Sequence, residues 1–379
     1  MTEPVVPAPI PQTDPRAGYL AQQTEIDAAV ARVLAGGWYI LGPEAEAFET
    51  AFAAWLGAGH AVGTGSGTDA IELALRACGF GAGDLVFTVS HTAVATVAAI
   101  ERAGATPVLV DIEPGGFAMD PASLEAALRR APPGRPAAVL PVHLYGEPAD
   151  LAAIGELARA YGLRLIEDCA QSHGAPWRGR MTGTIGALGC FSFYPTKNLG
   201  ALGDAGMIVT GDQALAVALR EIREYGWRDR YVSAIRGINT RLDPLQAAIL
   251  AAKLPRIVAD NARRQEVAAR YDDALAGLPL RLPHRRAQTT HVFHQYVIRT
   301  DRRDALREHL RANAIGTGIH YPVPVHRQPA YRDVAVAPGG LGETERAAGE
   351  ILSLPMYPQL SAAAADRVIG EIRRFFRQF

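Results

Sequence analysis

Cysteine is scarce. The chain has only Cys78, Cys169 and Cys190, none in a CxxC spacing, so neither a disulfide framework nor a thiolate zinc site is expected. A reducing, cytoplasmic setting fits such thiols best. Cys169, beside Asp168, reads more readily as a small buried filler than as a reactive thiol. Long apolar runs are also missing: no stretch approaches the ~18 residues of a membrane span. The N-terminus has neither the basic nor the apolar region of a signal peptide. No excess of one charge exists either. Lys and Arg number 38 against 39 Asp and Glu, a formal net charge of −1, so nothing draws the chain generally to nucleic acid or to an anionic membrane. No His/Cys/Asp cluster has metal-ligand spacing, and no Gly-x-Ser-x-Gly elbow suggests a hydrolase. Internal repeats and heptads are absent. Compositional bias is confined to residues 1–15, whose five prolines suit an extended arm.

What remains is a globular composition, 49% hydrophobic and 20% charged over 379 residues. That length exceeds one ordinary core, so two domains are expected. Strand and helix patterns alternate through the first half. Leu85–Ser90, Pro107–Asp111, Ala138–His143 and Leu163–Asp168 read as strands. Thr92–Arg102, Pro121–Arg130 and Pro148–Tyr161 read as helices. The rhythm implies a mostly parallel sheet covered on both faces, with ligands beyond the carboxyl ends of its strands. Helical spacing also marks Ile26–Leu34 and Glu44–Leu56. Arg241 opens a long helical pattern to about Ala276, broken near Pro255, and the domain boundary is placed there, 1–255 and 256–379. The second part reads as a small α+β domain. It has strands at Val292–Arg299 and Gly318–Tyr321 and helices at Asp304–Asn313, near 342–352 and near 362–377.

The stretch 189–210 carries the chemistry. Gly189–Phe193 and Gly206–Thr210 read as strands, and the loop between them holds Lys197 among small and apolar residues. Desolvation there lowers a lysine's pKa and frees its amine, the condition for a Schiff-base lysine. The loop alone is equally compatible with an ordinary surface lysine. Asp168, at the end of a buried-type strand upstream, tips the balance. A loop lysine with a strand-end carboxylate is what pyridoxal phosphate (PLP) needs: one group for the aldehyde carbon, one to keep the ring nitrogen protonated. Residues 61–78 form a glycine-rich turn entering a helix, an anion site on physical grounds but a common one.

Ile166-Glu167-Asp168-Cys169-Ala170-Gln171-Ser172-His173-Gly174 and Ser192-Phe193-Tyr194-Pro195-Thr196-Lys197-Asn198-Leu199 resemble the two signature stretches of the DegT/DnrJ/EryC1/StrS family. The similarity runs from about Gly42 to the C-terminus. It implies a PLP-dependent aminotransferase with a type I-like fold, a large domain with a mostly parallel seven-stranded sheet and a smaller C-terminal α+β domain. It also implies that L-glutamate gives its amino group to a nucleotide-linked keto sugar. The family pattern casts Ser66, Gly67, Thr68 and Ser192 as phosphate ligands and Gln171 as the partner of the PLP phenolic oxygen. Asn239 falls in a motif that reaches the neighbouring subunit's phosphate, which implies a homodimer with shared sites. His320 and Tyr321, and more weakly His294, fall near the sugar, and His143 leans to the site on the same grounds. One departure stands out: many members place an aromatic after the threonine of Ser-x-Thr, whereas Ser90-His91-Thr92 is followed by Ala93. His91 is one candidate to stack on the ring instead. The stretch 225–231, with Asn239-Thr240-Arg241-Leu242-Asp243, looks more like the branch acting at carbon 3 of dTDP-sugars than the 4-amino branch. A dehydratase on the same scaffold is opposed by Lys197, which some relatives replace with histidine. A non-catalytic regulator is opposed by the survival of Lys197, Asp168 and Ser-Gly-Thr.

Overall fold

The structure, a computed structural model, describes residues 8–378. The first seven residues of the proline-rich arm lie outside that range. An eight-stranded sheet runs, edge to edge, His60–Thr64, Gly206–Thr210, Leu188–Ser192, Arg164–Asp168, Arg135–Val139, Asp84–Val89, Thr106–Val110 and Ala335–Val336. From Leu188–Ser192 to the last strand every pairing is parallel, and the other two are antiparallel. Asp84–Val89 and Gly206–Thr210 are buried along their length, as apolar runs covered on both faces must be. The expected seven strands become eight because Ala335–Val336, from the C-terminal part, joins the edge beside Val108 and Leu109.

The parallel strands Asp84–Val89, Arg164–Asp168 and Leu188–Ser192 deliver Ser90–Thr92, Asp168 and Ser192 to one edge of the sheet. Helix Pro43–Leu56 begins with proline in its first turn and stops at Gly57, whose φ of 76° few other residues adopt easily. Its Phe48 and Phe52 pack with Phe191 and Phe193 at centroid distances of 5.2 to 5.5 Å. This aromatic cluster anchors the strand that leads into the Lys197 loop.

The long helical pattern divides at Pro255 into helices Pro244–Lys253 and Ile257–Leu275, joined by a tight turn. The C-terminal part is built on an antiparallel pair, Tyr296–Arg299 with Ile351–Leu354. Tyr271, Phe293, Tyr296, Leu352, Leu354 and Phe375 fill its core. Two expectations are corrected here. Gly318–Tyr321 is no strand: only Gly318 bridges, to Ser353, before the chain turns toward the sheet. The helix expected to reach 352 ends at Glu350, and Ile351–Leu354 pairs as strand instead. Residues 8–12 lie against this part, with Ile10 bridging Ile315 and Gln12 bonded to Gln295 at 2.5 Å. Among the described residues no helix is long and apolar enough to cross a membrane.

Candidate active site

The Lys197 loop is pinned on both sides of its lysine. The backbone N–H of Lys197 donates to the Tyr194 carbonyl at 2.8 Å, and Ala201 closes onto Phe193 at 2.7 Å. Buried Asn198 donates to Asn261 Oδ1 at 2.8 Å and to the Val292 carbonyl at 2.9 Å. Lys253 Nζ donates to the Gly200 carbonyl. The lysine backbone is therefore fixed. Desolvation brings the Lys197 ammonium down from 10.5 to about 8, against the opposing pull of Asp168.

Lys197 lines a cleft of 280 Å³ together with Ser66, Gly67, Thr68, Asp168, Gln171 and Ser192. All the residues assigned to Schiff-base, ring and phosphate contacts thus meet in one place, except Asn239. Asp168 is buried. One carboxylate oxygen accepts the Ala170 N–H at 3.1 Å and the other the Thr96 hydroxyl at 2.9 Å. Burial pushes the carboxyl up, while those two bonds, Lys197 and His143 hold it back.

At the other end Ser66 caps helix Gly67–Ala77, accepting the Asp69 N–H at 3.1 Å. That bond uses only its oxygen, so the Ser66 hydroxyl proton stays free for an anion, as do the N–H groups of Gly67 and Thr68. A Cβ on Gly67 would sit 2.5 Å from Ser192 Cβ. Only glycine lets the helix end and the strand end come this close.

The residues fit PLP on this geometry. A poised amine and a fixed carboxylate stand in the cleft, and its other end offers unpaired N–H and O–H donors to a phosphate.

Gln171 is buried. Its oxygen accepts the Tyr145 N–H at 2.7 Å, and its amide donates to the Tyr321 hydroxyl at 3.3 Å. Tyr321 thus reaches the cleft's wall. His320 bonds Ser353 at 2.8 Å, and burial plus the Lys197 charge lower its pKa. His294 is buried with Nδ1 unpartnered, and burial, reinforced by Lys197, holds it neutral. Neither histidine lines the cleft. Asn239 is exposed and does not line it. Its neighbour Thr240 accepts the Gly65 N–H at 2.8 Å and donates to Asp69 at 2.9 Å, docking this segment beside the phosphate helix.

His91 does not stack on the cleft. Its ring lies buried against Phe117, 5.7 Å away, and bonds the Tyr145 hydroxyl at 2.9 Å. Ala93, Thr92 and Val142 line the wall instead. His143 is also absent from the lining. Its Nε2 bonds Glu167 at 3.0 Å and its Nδ1 accepts the Ala149 N–H at 3.0 Å. With Cys169 these two residues bring metal-type ligand atoms within 4.8 Å of one another. Both histidine nitrogens are engaged, and Glu167 also accepts N–H groups of Gly183, Ile185 and Gly186, so hydrogen bonding already uses this group. Thr92, Thr96 and Asp204 line the cleft without having been singled out in the sequence. For Thr96 the sequence offers only a place within the expected helix Thr92–Arg102, and the structure, which starts that helix at Val94, puts it in the first turn.

Comparison with known proteins agrees with this geometry. The DegT/DnrJ/EryC1/StrS aminotransferase family matches residues 21–373. A dTDP-3-amino-3,4,6-trideoxy-alpha-D-glucose transaminase of Streptomyces venezuelae is 47% identical over 367 residues, 97% of this chain and 96% of that one. The erythromycin biosynthesis sensory transduction protein EryC1 of Saccharopolyspora erythraea is 47% identical over 365 residues, 96% of this chain and 99% of that one. Among solved structures, S. venezuelae DesV in complex with a ketimine intermediate superposes with a TM-score of 0.94 at 47% identity, over 98% of this chain and 100% of that chain.

Proposed function

The chain belongs to the DegT/DnrJ/EryC1/StrS aminotransferase family, and on that premise we propose that it transfers the amino group of L-glutamate to the 3-keto carbon of a dTDP-linked deoxy sugar. That it is a PLP-dependent nucleotide-sugar aminotransferase follows from its relatives and its fold. The observation carrying the chemistry is Lys197, an amine near pKa 8 in a cleft shared with Asp168. The choice of carbon 3 and dTDP rests on the 47% identical S. venezuelae transaminase.

PLP, when bound, supplies an electron sink for the carbon that loses its proton. Asp168 holds the proton on the ring nitrogen, so that the sink stays effective. The helix end at Ser66–Thr68, with Ser192, holds the phosphate. Lys197 holds the aldehyde carbon at rest. Its free amine would act as the base and acid that moves a proton between the amino acid's α-carbon and the cofactor's C4′ carbon. Gln171, braced by Tyr145, steadies the phenolic oxygen, and Tyr321 and His320 stand on the acceptor side.

The enzyme acts as a homodimer with two shared sites. The support is chemical: Asn239 is exposed beside the phosphate helix, and its segment also exposes Tyr225, Tyr231, Val232 and Ile235. Apolar surface of this kind marks an interaction face. Holoenzyme given L-glutamate and a panel of 3-keto and 4-keto dTDP, UDP and GDP sugars tests the reading. Amination of the 3-keto dTDP sugar is expected. Preferred amination at carbon 4, or of a UDP or GDP sugar, would overturn the substrate assignment.

A further inference from the structure

A chain of buried hydroxyls leads to the cofactor carboxylate. Thr92 and Thr96 sit one turn apart where helix Val94–Arg102 begins, both buried and both on the cleft wall. Thr96 Oγ1 donates to Asp168 Oδ2 at 2.9 Å, and Thr92 Oγ1 lies 2.9 Å from Thr96 Oγ1. Thr96 has one hydroxyl proton, and an ionised carboxylate can only accept. That proton therefore belongs to Asp168, and Thr92 must donate to Thr96. The direction of the chain is fixed: Thr92 to Thr96 to Asp168.

We propose that Thr96 is a positioning residue that aims and stabilises the Asp168 carboxylate toward the ring nitrogen of PLP, and that Thr92 acts only by orienting Thr96. Asp168 is buried and needs donors to stay ionised. Its other oxygen has the Ala170 N–H, held by the backbone. Oδ2 depends on a side chain that could rotate, and Thr92 removes that freedom. The first turn of the helix adds partial positive charge on the same side. Where an aromatic is missing at position 93, the wall gives the ring little to stack on. Fixing the carboxylate then bears more of the cofactor's orientation.

The inference rests on the PLP reading, and the test separates the two. Apoenzyme is titrated with PLP by fluorescence quenching for wild type, Thr96→Val, Thr96→Ser, Thr92→Val and the double Val variant. Melting of each apoprotein checks folding. Thr96→Val loses a bond to a charged acceptor and should bind PLP about tenfold more weakly. Its kcat should fall with the KM for the keto sugar unchanged, and the absorbance band of bound PLP should shift. Thr96→Ser, which keeps the hydroxyl, should restore affinity to within about twofold. Thr92→Val should weaken binding about threefold, and adding it to Thr96→Val should change nothing further, because the coupling runs through Thr96. Additive effects of the two valines, or a Thr96→Val variant with wild-type affinity and spectrum, would overturn the proposal. If wild-type apoenzyme does not bind PLP at all, the cofactor reading itself has failed.

Discussion

Replacing Asp168 by asparagine should make Lys197 titrate lower than it does in the wild type. Two opposed effects set the wild-type position. Desolvation in the cleft favours the neutral amine, and the Asp168 charge favours the ammonium, leaving Lys197 at about 8 instead of 10.5. At pH 8 roughly half of the chains then carry a neutral amine, against about 0.3% for an ordinary lysine, a gain of about 150-fold in the reactive form. Asp168→Asn removes the charge that holds the value up and leaves desolvation in place, so the midpoint should fall below 8. Competitive acetylation of apoenzyme across pH 6 to 11, read by peptide mass spectrometry, reports the midpoint for each lysine separately. That separation matters because burial also brings Lys253 down to about 8. Lys253 feels Asp260 and not Asp168, so its midpoint should stay put and serve as the control. A Lys197 midpoint near 10.5, or one that rises in Asp168→Asn, would refute the reasoning.

Lys197→Ala should abolish turnover and keep the fold. A lysine whose folded pKa is depressed costs stability while charged in both states, so wild-type apoprotein should gain stability between about pH 8 and 10.5 in thermal melts, and the variant should show a smaller rise, keeping only the share that Lys253 contributes. Gly67→Ala pushes a Cβ to 2.5 Å from Ser192 Cβ. It should weaken PLP binding of the apoenzyme by about tenfold or more with little change in helix content by circular dichroism. Asp168→Asn should still bind PLP but turn over at a small fraction of the wild-type rate, and a near-normal kcat would make Asp168 merely structural. Mixing Lys197→Ala with Asn239→Glu chains, each nearly inactive alone, should recover activity after subunit exchange, since a mixed dimer holds one intact shared site. Exchange without recovery would show that Asn239 does not serve the partner's site.

The buried strands were legible where their apolar runs were long enough, as in Leu85–Val89 and Arg164–Asp168. The strand His60–Thr64 overlaps the glycine-rich stretch 61–78, whose small residues carry no strand pattern. Ala335–Val336 is too short to show one, and Ile351–Leu354 continues the apolar spacing of the helix before it without a break. Among site residues, Lys197, Asp168 and the Ser66–Thr68 turn lie within local motifs, so neighbours in sequence announce them. His91 misled for the same reason. Its motif points to the cleft, but its ring turns to Phe117 and Tyr145, partners distant in sequence. Thr96 shows the reverse case: a helix threonine with nothing around it to mark it, made important by a carboxylate 72 positions away.

The central claim is that Lys197 carries the cofactor for an amino-transfer reaction. Borohydride reduction of PLP-loaded enzyme, with and without prior exposure to L-glutamate, followed by peptide mass spectrometry, tests it most directly. The account predicts a pyridoxyl mass on the peptide containing Lys197, lost when glutamate is added first because the amine has been released. A label on Lys253 or on no lysine, or a Lys197 label indifferent to glutamate, would contradict it.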